Sequence, residues 1–254
     1  HHAYPDQSVL LDVWRVTDYT GDPHGREGQP LRWVTPPELA SLDLPAADLP
    51  IVRALQLPTL YLITDARRYG KAGMLVLIER ALAAGARLLQ LREPYMSAEE
   101  YTEYARVVTA LAHRYDAHVL LNADPALVAA CNADGVHLDS RRLMALQNRP
   151  LPQSCLVAVS CHDANELAQA ARIGADFALL SPVLATASHP HAVPLGWEGF
   201  LRLRMHSDVP VYALGGMLPE HLTKVRCMGA SGLAMIRGLW EAPSIEQAVE
   251  VALR

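Results

Sequence analysis

The sequence predicts an α/β protein: a closed parallel barrel of eight strand–helix units, preceded by a segment, residues 1–57, that follows a different pattern. Three observations lead there. Eight short apolar runs recur from about residue 58 onward, nearly continuous in character, as in strands covered on both faces. Each is followed by a polar residue or two and then an amphipathic helical stretch. Eight such units within roughly 190 residues match the economy of a (β/α)8, TIM-type barrel, residues 58–254. The alternative is an open doubly wound sheet, whose usual order needs fewer units.

The elements follow in order. In the first segment, "VLLDVWRVTDY" (9–19) reads as one long strand and "GDPHGREGQP" (21–30) as a turn-rich loop. "LRWVTPPEL" (31–39) reads as a strand leading into a proline-started helix, and "AADLPIVRAL" (46–55) as a short helix. So few elements are marginal as an independent unit. The segment is expected either to pack on the barrel or to be the end of a domain that begins upstream.

The barrel strands are "TLYLIT" (59–64), "RLLQLR" (87–92), "HVLLNA" (118–123), "DGVHLD" (134–139), "CLVAVS" (155–160), "DFALLS" (176–181), "VPVYAL" (209–214) and "GLAMI" (232–236). "GKAG" (70–73) reads as a loop, and no Gly-x-Gly-x-x-Gly follows the first strand. Ser97 and Glu100 form a capping-box pattern, and Asp163 with Glu166 repeats its logic. That second helix stops before Gly174, which suits a left-handed C-terminal cap. Pro219 suits a first helical turn, where its missing N–H has no partner to lose.

Net charge is −5 and the pI near 6.1, which argues against a nucleic-acid polymer as partner. No run approaches the roughly 18 apolar residues of a membrane span, and no secretory leader is visible. A cytoplasmic location is expected. Cys131, Cys155, Cys161 and Cys227 show no Cys-x-x-Cys spacing and lie in apolar stretches, so buried, reduced thiols are expected.

Polar residues gather where the strands end, the edge at which such barrels build their sites. They include Thr64 and Asp65; Gln90, Arg92 and Glu93; Asn122 and Asp124; His137 and Asp139; Ser160 and His162; Ser181, Thr186, Ser188 and His189; and Arg237. Any one of these also suits a loop or a cap. Their coincidence at one rim points to a binding site. "ALGGM" (213–217) and "AMIRG" (234–238) add a phosphate pattern: Gly215 and Gly216 let backbone amides approach an anion, and Arg237 offers a bidentate charge. A tight βα turn is the alternative, although one glycine suffices for that. His137 reads as a satisfied structural histidine. "SPVLATASHPHAVPLGW" (181–197) reads as a lid over an anion or as a solvated connector, and holds no metal cage.

These residues resemble the thiamine phosphate synthase and thiazole tautomerase superfamily over about 58–240. The carriers are "YLITD" (61–65), "LLQLRE" (88–93), "ADGVHL" (133–138), "VAVSCH" (157–162), "GADFALLSPVLATAS" (174–188), "PLGWEGF" (194–200) and "PVYALGGM" (210–217). The resemblance implies substrate contacts from Gln90, Arg92, Asn122, Ser160, Thr186 and Ser188. It implies a phosphate cradle of Gly215, Gly216 and the residues around Ile236, to which the strand-end pattern adds Arg237. The expected ligand is a small phosphorylated metabolite of thiazole phosphate or thiamine phosphate type.

The departures are chemical. The two acidic magnesium ligands of the resembling synthase are here Ala123 and Arg142. Its lysines are here Pro94 and His189, and the tautomerase histidine is here Pro182. No metal ligand is assigned in the barrel, which would hold Mg2+ weakly at most, through Asp124 or Asp139. His162 and His189 are the candidate catalytic groups by relocation. The expectation is a phosphate-ester-binding barrel with divergent or lost magnesium–pyrophosphate chemistry. An active synthase or tautomerase-like enzyme, and a non-catalytic accessory barrel, are the alternatives.

Residues 4–39 together with "LPAADLPIV" (44–52) resemble the C-terminal half of a Nudix 8-oxo-dGTP pyrophosphatase, with Asp48 at the position that reads the purine. That resemblance implies a fusion whose Mg2+-binding catalytic helix lies upstream of residue 1. The implied partners are therefore the metabolite and the chain's own Nudix half, with no membrane and with a homodimer left open.

Overall fold

The computed structural model describes residues 2–4, 6–9, 11, 13–14, 16, 18–39, 41–186 and 192–253. The chain divides into two compact units, His1–Leu57 and Pro58–Arg254.

In the first unit, strands β1 (His2–Ala3) and β2 (Ser8–Val9) form a small antiparallel pair with Ala3 opposite Ser8. Helix α1 (Pro36–Leu39) starts at a proline, and the Glu38 carboxylate accepts from the Thr35 amide at 2.7 Å. Helix α2 (Leu49–Gln56) closes the unit. The long strand expected over 9–19 is not formed: among its described residues only Val9 is in a strand. Nor is there a strand over 31–35. Val13, Trp14, Val16, Tyr19 and Trp33 stay exposed, so the apolar residues that suggested strands here are not buried against a sheet. Tyr19 stacks on Trp33 instead, with ring centroids 5.9 Å apart.

The second unit is the expected barrel. Strands β3 (Leu60–Ile63), β4 (Leu88–Leu91), β5 (His118–Leu121), β6 (Gly135–Leu138), β7 (Leu156–Cys161), β8 (Phe177–Leu180), β9 (Val211–Ala213) and β10 (Gly232–Met235) pair in parallel in sequence order. The ring closes where β10 meets β3, with Leu233 opposite Leu60. Helices α3 (Ala66–Ala83), α4 (Ala98–His113), α5 (Leu127–Ala130), α6 (Ser140–Ala145), α7 (Ala164–Arg172), α8 (Gly196–Met205), α9 (Leu222–Cys227), α10 (Arg237–Trp240) and α11 (Ile245–Leu253) follow or join the strands. No helix among the described residues is long and apolar enough to cross a membrane.

Strand alternation sorts the side chains into two cores. Leu62, Leu89, Leu121, Val136, Val159, Leu180, Val211 and Leu233 point outward, into one continuous apolar cluster with the helices. Tyr61, Phe177 and Tyr212 are fully buried outside that cluster and fill the barrel interior. Tyr61 meets Phe177 edge-on at 5.2 Å, and Phe177 lies 5.0 Å from Tyr212. Aromatic packing of this kind contributes about 1 kcal/mol per pair beyond its buried area. At the N-terminal end of the strands, the Arg149 guanidinium donates to the carbonyls of Gly174 and Cys155 and to Asp176.

Local expectations fared unevenly. Ser97 Oγ accepts from the Glu100 amide at 3.1 Å, but the Glu100 carboxylate turns away to Lys71, so the box is only half formed. Asp163 caps α7 through the Glu166 amide, and Gly174 after it is left-handed at φ +68°. Pro219 opens a 3-10 turn, Pro219–His221. "GKAG" is not a loop: it lies within α3, which is broken only at Gly70. Cys131 and Cys161 are buried, but Cys155 is half-buried and Cys227 exposed on α9. An apolar neighbourhood in sequence does not fix which helical face a residue takes.

Candidate functional site

A cavity of about 1140 Å3 opens at the C-terminal rim of the strands, in the second unit. Its walls include Gln90, Arg92, Asn122, Ser160, His162, Thr186, Gly215, Gly216, Ile236 and Arg237. Of the twelve residues given a substrate, phosphate or catalytic role in the sequence, ten thus line one cavity. Ser188 and His189 lie outside the described residues.

The glycine pair is built for close approach. Gly215 and Gly216 follow β9 at φ +96° and +67°, a region that side chains rarely adopt. A Cβ on Gly216 would stand 2.7 Å from Leu184 Cβ and 2.8 Å from the Ala185 carbonyl oxygen. The loop that crowds it is pinned by the Val183 and Leu184 amides, which donate to the Leu214 and Gly215 carbonyls at 2.9 and 3.0 Å. One strand later, Ile236 leaves helical geometry at ψ −95° and Arg237 begins α10. Half-buried Arg237 lines the same cavity as the glycine pair.

Arg92, just past the end of β4, brings a second arginine to the same cavity. Its backbone amide is fixed to Thr64 Oγ1 at 3.1 Å. Gln90, only 1% exposed, reaches the cavity at the barrel's inner wall, and its Nε2 donates to Tyr61 Oη at 3.3 Å. Tyr61 Oη lies 3.2 Å from His137 Nδ1, and His137 Nε2 lies 2.8 Å from Ser160 Oγ. Asn122 Nδ2 donates to the His137 carbonyl at 2.9 Å, leaving its side-chain oxygen for other partners. Burial pushes the His137 imidazole down to about 3, helped by the charge of Arg92, so the ring is neutral. Tyr61 was not among the sequence candidates, and His137, noted at its strand end, was read there as a structural histidine. Their signal was their placement on strands among apolar neighbours, where alternation turns both inward.

The candidate acids and bases are differently placed. His162 is exposed on the rim, and its Nδ1 lies 2.8 Å from Glu166. Glu93 is buried but faces away from the cavity chemistry: it accepts from the Ala66 amide at 2.9 Å, and burial pushes its carboxyl above the usual range.

The magnesium fit is poor. Position 123 carries a methyl group, and Arg142 stands in α6 with its Nε 3.9 Å from Asp139. Asp139 Oδ1 is engaged by the Arg142 amide at 2.8 Å, and Asp124 Oδ1 by the Ala126 amide at 2.9 Å. Among the described residues no three His, Cys, Asp or Glu side chains are grouped to hold a metal ion. A cation at position 142 and two carboxylates committed to local turns are the wrong donor set for an oxygen-seeking divalent ion.

A family model described as thiamine monophosphate synthase matches residues 60–239. The chain belongs to that family. Its match begins at residue 60 and does not reach the first unit. Among relatives of the thiamine monophosphate synthase family, the chain is 36% identical over 182 residues to a protein of Aquifex aeolicus named putative thiamine-phosphate synthase 2, covering 72% of this chain and 97% of that one. It is 31% identical over 190 residues to the thiamine-phosphate synthase of Chloroflexus aurantiacus, covering 74% and 88%. The solved thiamine phosphate pyrophosphorylase from Pyrococcus furiosus superposes with a TM-score of 0.64 at 25% identity, over 76% of this chain and 93% of that one. A 3-hexulose-6-phosphate synthase from Salmonella typhimurium, 13% identical with a TM-score of 0.56 over 76% and 96% of the two chains, shares the fold.

Proposed function

We propose that the barrel is an enzyme of thiamine phosphate formation. It takes a thiazole phosphate on the cradle of Gly215, Gly216, Ile236 and Arg237, and a pyrimidine diphosphate toward Gln90, Arg92, Asn122 and Ser160. One observation supports this most: both residue sets line a single cavity in a chain whose relatives are named as thiamine-phosphate synthases. Coupling requires pyrophosphate to leave, so negative charge grows on its oxygens. The Arg92 guanidinium and the Ser160 hydroxyl are the groups this chain offers to that charge. The cradle meanwhile holds the other substrate by its phosphate and fixes its distance.

Ala123 and Arg142 favour a second reading, in which the barrel binds these esters without coupling them. The test follows pyrophosphate release from the purified full chain with both precursors, with and without Mg2+. Turnover supports the first reading. Binding without turnover, with activity appearing in the Ala123→Asp/Arg142→Asp variant, supports the second. For residues 4–55 the Nudix reading stays a proposal that rests on sequence resemblance alone. An upstream reading frame without a Gly-x5-Glu-x7-Arg-Glu box would remove it.

A further inference from the structure

The polar chain inside the barrel has a direction. Gln90 donates an amide hydrogen to Tyr61 Oη, which directs the single phenolic proton toward its other neighbour, His137 Nδ1. An imidazole nitrogen that accepts carries no proton, so the neutral ring holds its hydrogen on Nε2. That N–H points to Ser160 Oγ at 2.8 Å. With its oxygen already accepting, Ser160 has its own hydroxyl proton left over, and Ser160 lines the cavity. We propose that Gln90, Tyr61 and His137 are positioning residues that lock the Ser160 hydroxyl as a hydrogen-bond donor toward an anionic oxygen bound in the cavity. The opposite polarity, with Tyr61 donating to Gln90 and Ser160 donating to His137, would leave only lone pairs of Ser160 facing the ligand, which repel a phosphate or diphosphate. Burial makes the choice consequential. Tyr61 and His137, the two central links, are each at most 1% exposed, so bulk water does not reach the bond between them.

The nature of the ligand rests on the function proposed above; the proton arrangement does not, and the experiment separates them. The full chain is labelled with 15N-histidine, and two-bond 1H–15N correlations are recorded at neutral pH. The chain has 11 histidines, and the His137 signal is identified by its loss in His137→Gln. The expected result is the Nε2–H tautomer. An Nδ1–H tautomer or an imidazolium overturns the proposal. In parallel, the affinity for inorganic pyrophosphate is measured by calorimetry. Tyr61→Phe and Ser160→Ala are each expected to weaken it about tenfold, the loss of one charge-assisted hydrogen bond, and the double variant no further than either alone. Multiplicative losses would mean that Tyr61 does not act through Ser160, and the proposal fails. If the wild-type chain shows the expected tautomer and binds no pyrophosphate, the anion-donor role of Ser160 falls together with the diphosphate reading, while the direction of the proton chain stands.

Discussion

His137 Nε2 lies 2.8 Å from Ser160 Oγ, on the adjacent strand, and the bond is made by an uncharged ring. Burial and the nearby Arg92 charge hold that imidazole down to about 3, against 6.5 when unfolded. Between those values the unfolded chain binds a proton that the folded chain refuses. Stability from this group is therefore complete above about pH 6.5 and declines as pH falls toward 3, by up to about 1.4 kcal/mol per unit. His137→Gln is expected to flatten this acid limb in urea midpoints measured from pH 7 to pH 4.

Gly216→Ala is expected to cost about 1–3 kcal/mol in stability, because a Cβ there meets backbone at a positive φ. Retained affinity for inorganic phosphate in calorimetry, despite a lowered Tm, would show that the cradle does not hold the anion.

Arg237→Gln is expected to weaken thiazole phosphate binding by about tenfold or more, with Arg237→Lys intermediate, since an ammonium restores charge without the bidentate fork. Arg237 sits on the wall rather than in the core, so the Tm of either variant should stay within a few degrees.

At the other end of the strands, Asp134 accepts from the Val119 amide at 2.8 Å and faces His113 Nε2 at 3.0 Å and His118 Nδ1 at 3.3 Å. Burial pushes the Asp134 carboxyl up, but hydrogen bonds from His118, the Val119 amide and His113 outweigh it and lower it. The hydrogen bond to Asp134 raises His118. The carboxylate's contribution is present above about pH 3.9 and is lost as pH falls through its lowered value. The His118 contribution is present below about pH 6.5 and is lost as pH rises through its raised value. Asp134→Asn should therefore lose most Tm near pH 5, with a smaller difference at pH 9, and leave ligand affinity unchanged.

The barrel was legible because its signal is periodic and repeated. From Leu60 to Met235 the same unit, a short apolar run ended by polar residues and followed by an amphipathic helix, recurs eight times, so each error is damped by the others. Rim residues such as Gln90, Ser160 and Gly216 were legible because strand ends are marked by the change from apolar to polar. What the linear sequence hid was partnership. Tyr61 looks like one more apolar residue of "YLIT", and only barrel closure sets its hydroxyl against a residue 76 positions away. Glu100 looked like half of a capping box because its pattern is local, whereas Lys71 on the neighbouring helix won it. The first unit shows the same limit: "VLLDVW" has strand composition, yet among its described residues only Val9 meets a partner strand.

The seam of the barrel has one more consequence. Its first and last strands are hydrogen-bonded neighbours, and Trp240 Nε1, just beyond the last, donates to the Ile63 carbonyl at 2.7 Å. A ligand touching both Gln90 and Arg237 therefore bridges a ring that exists only when both ends of the domain have met. Only a chain with β10 in place carries both the Gln90 and the Arg237 sides of the cavity, so full affinity is expected to require the closed ring. Ligand protection in hydrogen exchange should accordingly spread around all eight strands instead of fading with distance from the rim.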